Sequence, residues 1–138
     1  MAAKQASQKE INAYIDAWQK FLVKSWGLSQ DFAPRAAALV VWCAFYGLSP
    51  FITSGYRSEE VQAYLVDQWK KGNPNVHNPL PPGKSLHQGK NWIGDPAALA
   101  MDMQTNNPDS AGYLAKQLGI VWGGRNDEVH FALRSGTL

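Results

Sequence analysis

An uninterrupted apolar run from Ala36 to Tyr46, with Pro34 just before it and Gly47 just after, constrains this chain most. A segment without a polar face must be covered on all sides, so the run predicts a central buried helix that starts after Pro34 and stops at Gly47. At eleven residues it is too short to span a bilayer. A partner precedes it. Ile11, Tyr14, Ile15, Trp18, Leu22 and Trp26 recur at helical spacing with Lys and Gln between them, and Gly27 follows where a left-handed cap fits. That stripe reads as an amphipathic helix laid on the core; a row of rings for stacking on sugars is the second reading. With 138 residues, 45% hydrophobic and only 17% charged, the chain suits one domain with a substantial core.

After residue 47 the pattern changes. Phe51-Ile52-Thr53 predicts a short strand that delivers the turn Gly55-Tyr56-Arg57. Ser58 then caps a third helix, with Glu59 and Glu60 in its first turn and Val61, Leu65 and Trp69 on one face. Gly72 to Gly83 contains four prolines and no period, so it is a loop or a lid, with His77 an ordinary loop residue. Ala100-Met101-Asp102-Met103 and Val129 to Leu133 predict two more strands. Asp109 or Ser110 caps a fourth helix that ends at Leu118-Gly119. Helices and strands that do not alternate regularly predict an α+β fold, a small antiparallel sheet with flanking helices. A helical part over 1–47 and a core over 51–133 form a single domain covering 1–138.

The formal charge of +2 is too small to argue for nucleic acid, and no basic cluster exceeds Lys70-Lys71. Cys43, the sole cysteine, lies in the apolar run and reads as a buried thiol rather than a nucleophile. The polar N-terminus lacks the apolar stretch of a signal peptide, which predicts synthesis in the cytoplasm with no stable membrane insertion.

Chemistry concentrates in three short segments: Ser85-Leu86-His87-Gln88-Gly89, Ala100-Met101-Asp102, and Asp127-Glu128-Val129-His130-Phe131. Two imidazoles and a carboxylate suit Zn²⁺, and three protein ligands leave a fourth position open, as in catalytic sites. The same donors also tolerate Mn²⁺, Co²⁺ or Fe²⁺. Asp127, three residues before His130, is a candidate proton acceptor. Each residue also has an ordinary reading, as a hydrogen-bonded histidine or a turn-forming acid, and spacing alone does not choose between them.

The order of blocks adds to this. Ser54-Gly55-Tyr56-Arg57-Ser58, Gln62, Ser85-x-His87, Ala100-x-Asp102, Trp122-Gly123-Gly124 and Asp127-x-x-His130-Phe131 follow one another along the chain. In this the sequence resembles the zinc D-alanyl-D-alanine carboxypeptidases and L-alanyl-D-glutamate endopeptidases of bacteria and phages. The resemblance runs from about Ile52 to Phe131. It implies the hedgehog/DD-peptidase fold, one Zn²⁺ held by His87, Asp102 and His130, Asp127 as general base, and Arg57 binding or polarising substrate. Ser85 and Gln62 are then expected to orient ligands or substrate from behind, and Trp122 to pack or to serve as a substrate platform. The substrate implied is the stem peptide of peptidoglycan, cut beside a D-residue.

The chain departs from the family pattern in one place. Asp102 follows His87 by more residues than in those enzymes, so Lys90 to Leu99 reads as an inserted loop beside the metal. Asp95 within it is a rival ligand, but it precedes Pro96 and so favours a turn, whereas Asp102 keeps the small-x-Asp context of a strand. A second question concerns the base. Strict alternation puts Glu128 on the His130 face, and Asp127 reaches the site only if the strand begins after it. Asp127 is the expected base and Glu128 the reserve. A monomeric bacteriolytic endopeptidase is expected, a phage endolysin or a delivered effector that reaches the wall through a holin or a secretion machine, with an immunity protein as a further partner. The alternatives are a D-alanyl-D-alanine carboxypeptidase and a non-enzymatic domain that binds wall or a partner protein.

Overall fold

A computed structural model describes residues 7–76, 79–80, 82–90 and 94–134. Helix α1 (Gln8–Trp26) starts at Ser7, whose hydroxyl accepts from Glu10 N, and ends at Gly27 with φ 68°. That positive φ suits glycine because a Cβ would crowd the backbone there. Ile11 and Leu22 are buried, and Ile15, Trp18 and Trp26 pack on the core, so the aromatic stripe largely faces inward. Tyr14 sits on the rim, its ring 6.2 Å from that of Phe45. Helix α2 (Ala33–Phe45) begins before Pro34, which falls in its first turn, where a missing N–H costs nothing. Its Ala36, Ala37, Leu39, Val40 and Cys43 are buried, but at its C-terminal end Trp42 and Phe45 are half-buried and Tyr46 just beyond is exposed. The run is therefore not covered all round.

The strands β1 (Phe51–Ser54), β2 (Ala100–Gln104), β3 (Val121–Trp122) and β4 (His130–Ala132) form an antiparallel sheet in the order β1-β2-β4-β3. The two-residue strand β3 is the element the hydrophobic pattern does not reveal. With helices α3 (Glu59–Lys70) and α4 (Pro108–Gln117), the described residues make an α+β fold of four α-helices and this small sheet. Alternation assigns its faces. Ile52, Met101, Met103 and Phe131 point into the main core with Leu22, Phe32, Leu39 and Ala111. Ala100 and Ala132 point the other way, into a smaller cluster with Leu86 and Leu99, and Asp102 and His130 share that second face. Residues from both the 1–47 and 51–133 parts meet in the main core.

Three expectations are corrected. Asn107, not Asp109 or Ser110, caps α4: its side chain accepts from Ser110 N, and Pro108 occupies the first turn. In α3 the predicted apolar face is not buried. Val61 and Trp69 are 47% and 42% exposed, while the helix packs through Gln62, which is 1% exposed. The later part of the expected inserted loop is not an exposed bulge. Its returning limb, Ala97–Leu99, is buried, and Ala98 bonds to the end of α1 through Gly27 O at 2.7 Å and Ser29 N at 2.8 Å. Residues 91–93 and His77 lie outside the described residues. None of the described helices is long and apolar enough to cross a membrane.

Candidate metal centre

Three local structures bring the polar residues together. In the β2–β4 ladder Asp102 lies directly opposite His130, so two side chains on the same face of neighbouring strands are placed side by side. His87 comes from a 3₁₀ turn, Leu86–Gln88, started by Ser85, whose hydroxyl accepts from His87 N at 3.2 Å. A register shift in β1 between Ile52 and Ser54 sets Ser54 opposite Asp102 and turns the chain into Gly55-Tyr56-Arg57. Arg57 N then donates to His87 O at 2.9 Å, which ties the turn to the histidine.

The ligand atoms of His87, Asp102 and His130 all lie within 4.8 Å of one another. Asp102 Oδ1 is 3.3 Å from His87 Nε2 and 3.5 Å from His130 Nδ1. Ligands bonded tetrahedrally to Zn²⁺ at their usual bond lengths stand ~3.4 Å apart, so these spacings fit one small cation. His87 Nδ1 is 2.8 Å from Gly55 O. A carbonyl oxygen only accepts, so Nδ1 carries a proton and Nε2 is the nitrogen turned towards Asp102 and His130. Burial alone would raise the Asp102 carboxyl. Hydrogen bonds from His130 and His87, with the positive charges of His87 and Arg57, outweigh it and hold the group well below the usual carboxylate range.

Arg57 reaches into the centre. Its Nε donates to Ser54 Oγ at 3.1 Å, its Nη1 to Gln62 Oε1 at 3.5 Å, and its Nη2 to Asp102 Oδ2 at 2.6 Å. Gln62 is buried and donates to Leu80 O at 2.8 Å, fastening the proline-rich loop to the site. Gln88 does the same further along, accepting from Gly83 N at 2.8 Å. A cavity of about 430 Å³ opens over the centre, lined by Val76, Pro79 and Leu80 on one side and Asp127, Val129 and His130 on the other. A second cavity of about 680 Å³, walled by Trp26, Tyr56, Val61 and Leu65, meets it at Thr53, Arg57 and Asp102.

Asp127 stands on the cleft wall and Glu128 does not. The strand begins only at His130, whose N–H bonds back to Asp127 O at 3.1 Å, so 127–129 is a turn and strand alternation does not apply to it. Trp122 is placed away from both cavities. Its ring packs against Gly112, where an added Cβ would be, and its Nε1 donates to Glu128 O at 2.9 Å. Asp95 is exposed and outside the three-ligand cluster. Two partners had no assigned role in the sequence reading: the Gly55 carbonyl under His87 and the Ser54 hydroxyl under Arg57. Backbone acceptors leave no residue-type signal, though both positions lie within the block that carries Arg57. No protein-family model matches the chain, and a search of curated proteins finds no match.

Proposed function

We propose that the protein is a zinc-dependent peptidase of the peptidoglycan stem peptide, with a hedgehog/DD-peptidase type of fold. The observation that carries the reading is the convergence of His87 Nε2, Asp102 Oδ1 and His130 Nδ1 on one point at the floor of a cleft whose wall includes Asp127. His87, Asp102 and His130 would hold the ion. When bound, such an ion supplies Lewis acidity, lowering the pKa of water towards neutrality and polarising a carbonyl. Asp127 takes the proton from the attacking water and returns it to the leaving amine. Arg57 has two firmly held arms, whereas Nη1 is only loosely engaged by Gln62, so Nη1 is the arm available to a substrate oxygen. Ser85 supports His87 through its backbone N–H, and Gln62 supports Arg57.

Cleavage within a chain, at the L-alanyl-D-glutamate bond, is favoured over removal of a terminal D-alanine. Support comes from the cleft, which continues on both sides of the Arg57–Asp102 pair and so leaves room for substrate beyond either end of the scissile bond. The test uses purified peptidoglycan and muropeptides with as-purified, chelator-stripped and Zn²⁺-restored protein, beside His130→Ala, with new termini identified by mass spectrometry. Metal-dependent release of new L-alanyl carboxyl and D-glutamyl amino termini is expected. Free D-alanine alone would move the assignment to a carboxypeptidase. Stoichiometric zinc with no cleavage would leave a binding domain.

A further inference from the structure

We infer that Arg57 is a positioning residue for Asp102, holding the carboxylate by Oδ2 so that Oδ1 alone is presented between the two imidazoles. The inference rests on the metal-centre reading above. A carboxylate can bind a cation through one oxygen or two. Here the two oxygens have separate partners: Oδ1 faces His87 and His130 at 3.3 and 3.5 Å, and Oδ2 is taken by Arg57 Nη2 at 2.6 Å. Swinging the carboxylate round to offer both oxygens would break that short charge-assisted bond.

The guanidinium is itself fixed on several sides. Ser54 Oγ holds Nε, Arg57 N is tied to His87 O, and Nη1 lies against Gln62, whose buried amide is anchored on Leu80 O. A planar fork can meet Ser54, Gln62 and Asp102 at once, and a lysine ammonium, a point donor on a flexible stem, cannot. The residue therefore acts in two directions, through Nη2 on Asp102 and through Nη1 towards the cleft. Keeping Asp102 a one-oxygen ligand preserves open coordination positions for the reacting groups. It also links the Leu80 wall of the cleft to the metal centre through Gln62.

Cobalt tests this without relying on activity, because Co²⁺ accepts the same nitrogen and oxygen donors. Its visible absorption is strong when four-coordinate and weakens as coordination rises. Co²⁺-loaded wild type is compared with Arg57→Ala, recording the visible spectrum and the Co²⁺ dissociation constant by chelator competition. Loss of the arginine is expected to weaken the band, as Oδ2 joins the metal, and to weaken affinity ~10–100-fold, the usual range for losing an outer partner of a ligand. Arg57→Lys keeps the charge but not the fork; it serves if the alanine variant does not fold, and the same weakening is expected. A variant whose spectrum and dissociation constant match wild type overturns the inference and leaves Arg57 acting on substrate alone. A wild type that takes up no Co²⁺ overturns the metal centre itself, and this inference with it.

Discussion

Gly55 is the position where packing and chemistry meet most tightly, and Gly55→Ala tests whether one backbone carbonyl organises the centre. A Cβ there would lie 2.1 Å from Trp26 O, 2.9 Å from Trp26 Cβ and 3.0 Å from the Trp26 carbonyl carbon. No rotamer relieves a clash with backbone, so either the end of α1 or the Ser54–Arg57 turn must move. Trp26 O also accepts from Tyr56 N at 2.8 Å, and that bond would be lost in the shift. Overpacking costs ~1–3 kcal/mol, and a lost hydrogen bond adds ~1 kcal/mol. The expected destabilisation is about 2–4 kcal/mol, on the order of 10 °C in Tm for a chain of this size. Moving Gly55 O also releases His87 Nδ1, 2.8 Å away, so Nε2 is no longer held towards Asp102. Zn²⁺ affinity is then expected to fall ~10–100-fold. Urea unfolding of metal-free protein reads the first effect and chelator competition the second. Gly47→Ala is the control: its Cβ would meet nothing within 4 Å, so only the strain of φ 72° is introduced, far from the site. If Gly55→Ala unfolds within ~0.5 kcal/mol of wild type, as an ordinary surface change would, and binds zinc as tightly, the reasoning fails.

Asp127→Asn is expected to lower cleavage ~10²–10⁴-fold with bound zinc unchanged, whereas Glu128→Gln stays near wild type; product formation and metal content measured together decide it. Burial pushes the Cys43 thiol from 9.0 up to about 11, so native protein should resist alkylation at pH 8 and react only once unfolded. Because the folded value is the higher one, Cys43 contributes stability below pH 9 that is lost as pH rises through about 11. The fall, at most ~3 kcal/mol, should appear in urea midpoints of wild type and be absent from Cys43→Ala. Gly112→Ala would place a Cβ 2.3 Å from the Trp122 ring. Overpacking of ~1–3 kcal/mol outweighs the ~1 kcal/mol gain in helix propensity, so thermal melting should fall while zinc affinity holds.

The helices were legible because their signals are local. The Ile11-to-Trp26 stripe with Gly27, and Ser58 before Glu59-Glu60, each carry a period or a cap within a few residues. The errors lie where tertiary packing decides. Val61, Leu65 and Trp69 share a helical face, but nothing local says that a buried glutamine, held by Leu80 and Arg57, takes the inward position instead. Asn107 displaces Asp109 as the cap because Pro108 fills the next position, and that Asn-Pro signal was in the chain to be used. The segment 97–99 looked like a plain insertion, yet its Ala-Ala-Leu apolarity already suited burial against Leu28 and Leu86.

For the site, residue type and strand context favoured Asp102 over Asp95, and the strand ladder does hold Asp102 beside the two histidines whereas Asp95 is exposed. What the sequence could not give was the partner of Arg57. Glu60 is only three positions along the chain from Arg57, whereas Asp102 is forty-five positions away and meets the guanidinium only because the β1 irregularity re-aims the turn. The same geometry bears on the proposed catalysis. An arginine spent wholly on substrate would leave Asp102 able to turn both oxygens towards the ion, and one spent wholly on Asp102 would leave the oxyanion unassisted. On the proposed function, a fork with Nη2 at 2.6 Å and Nη1 at 3.5 Å from their acceptors would divide the two tasks between its arms.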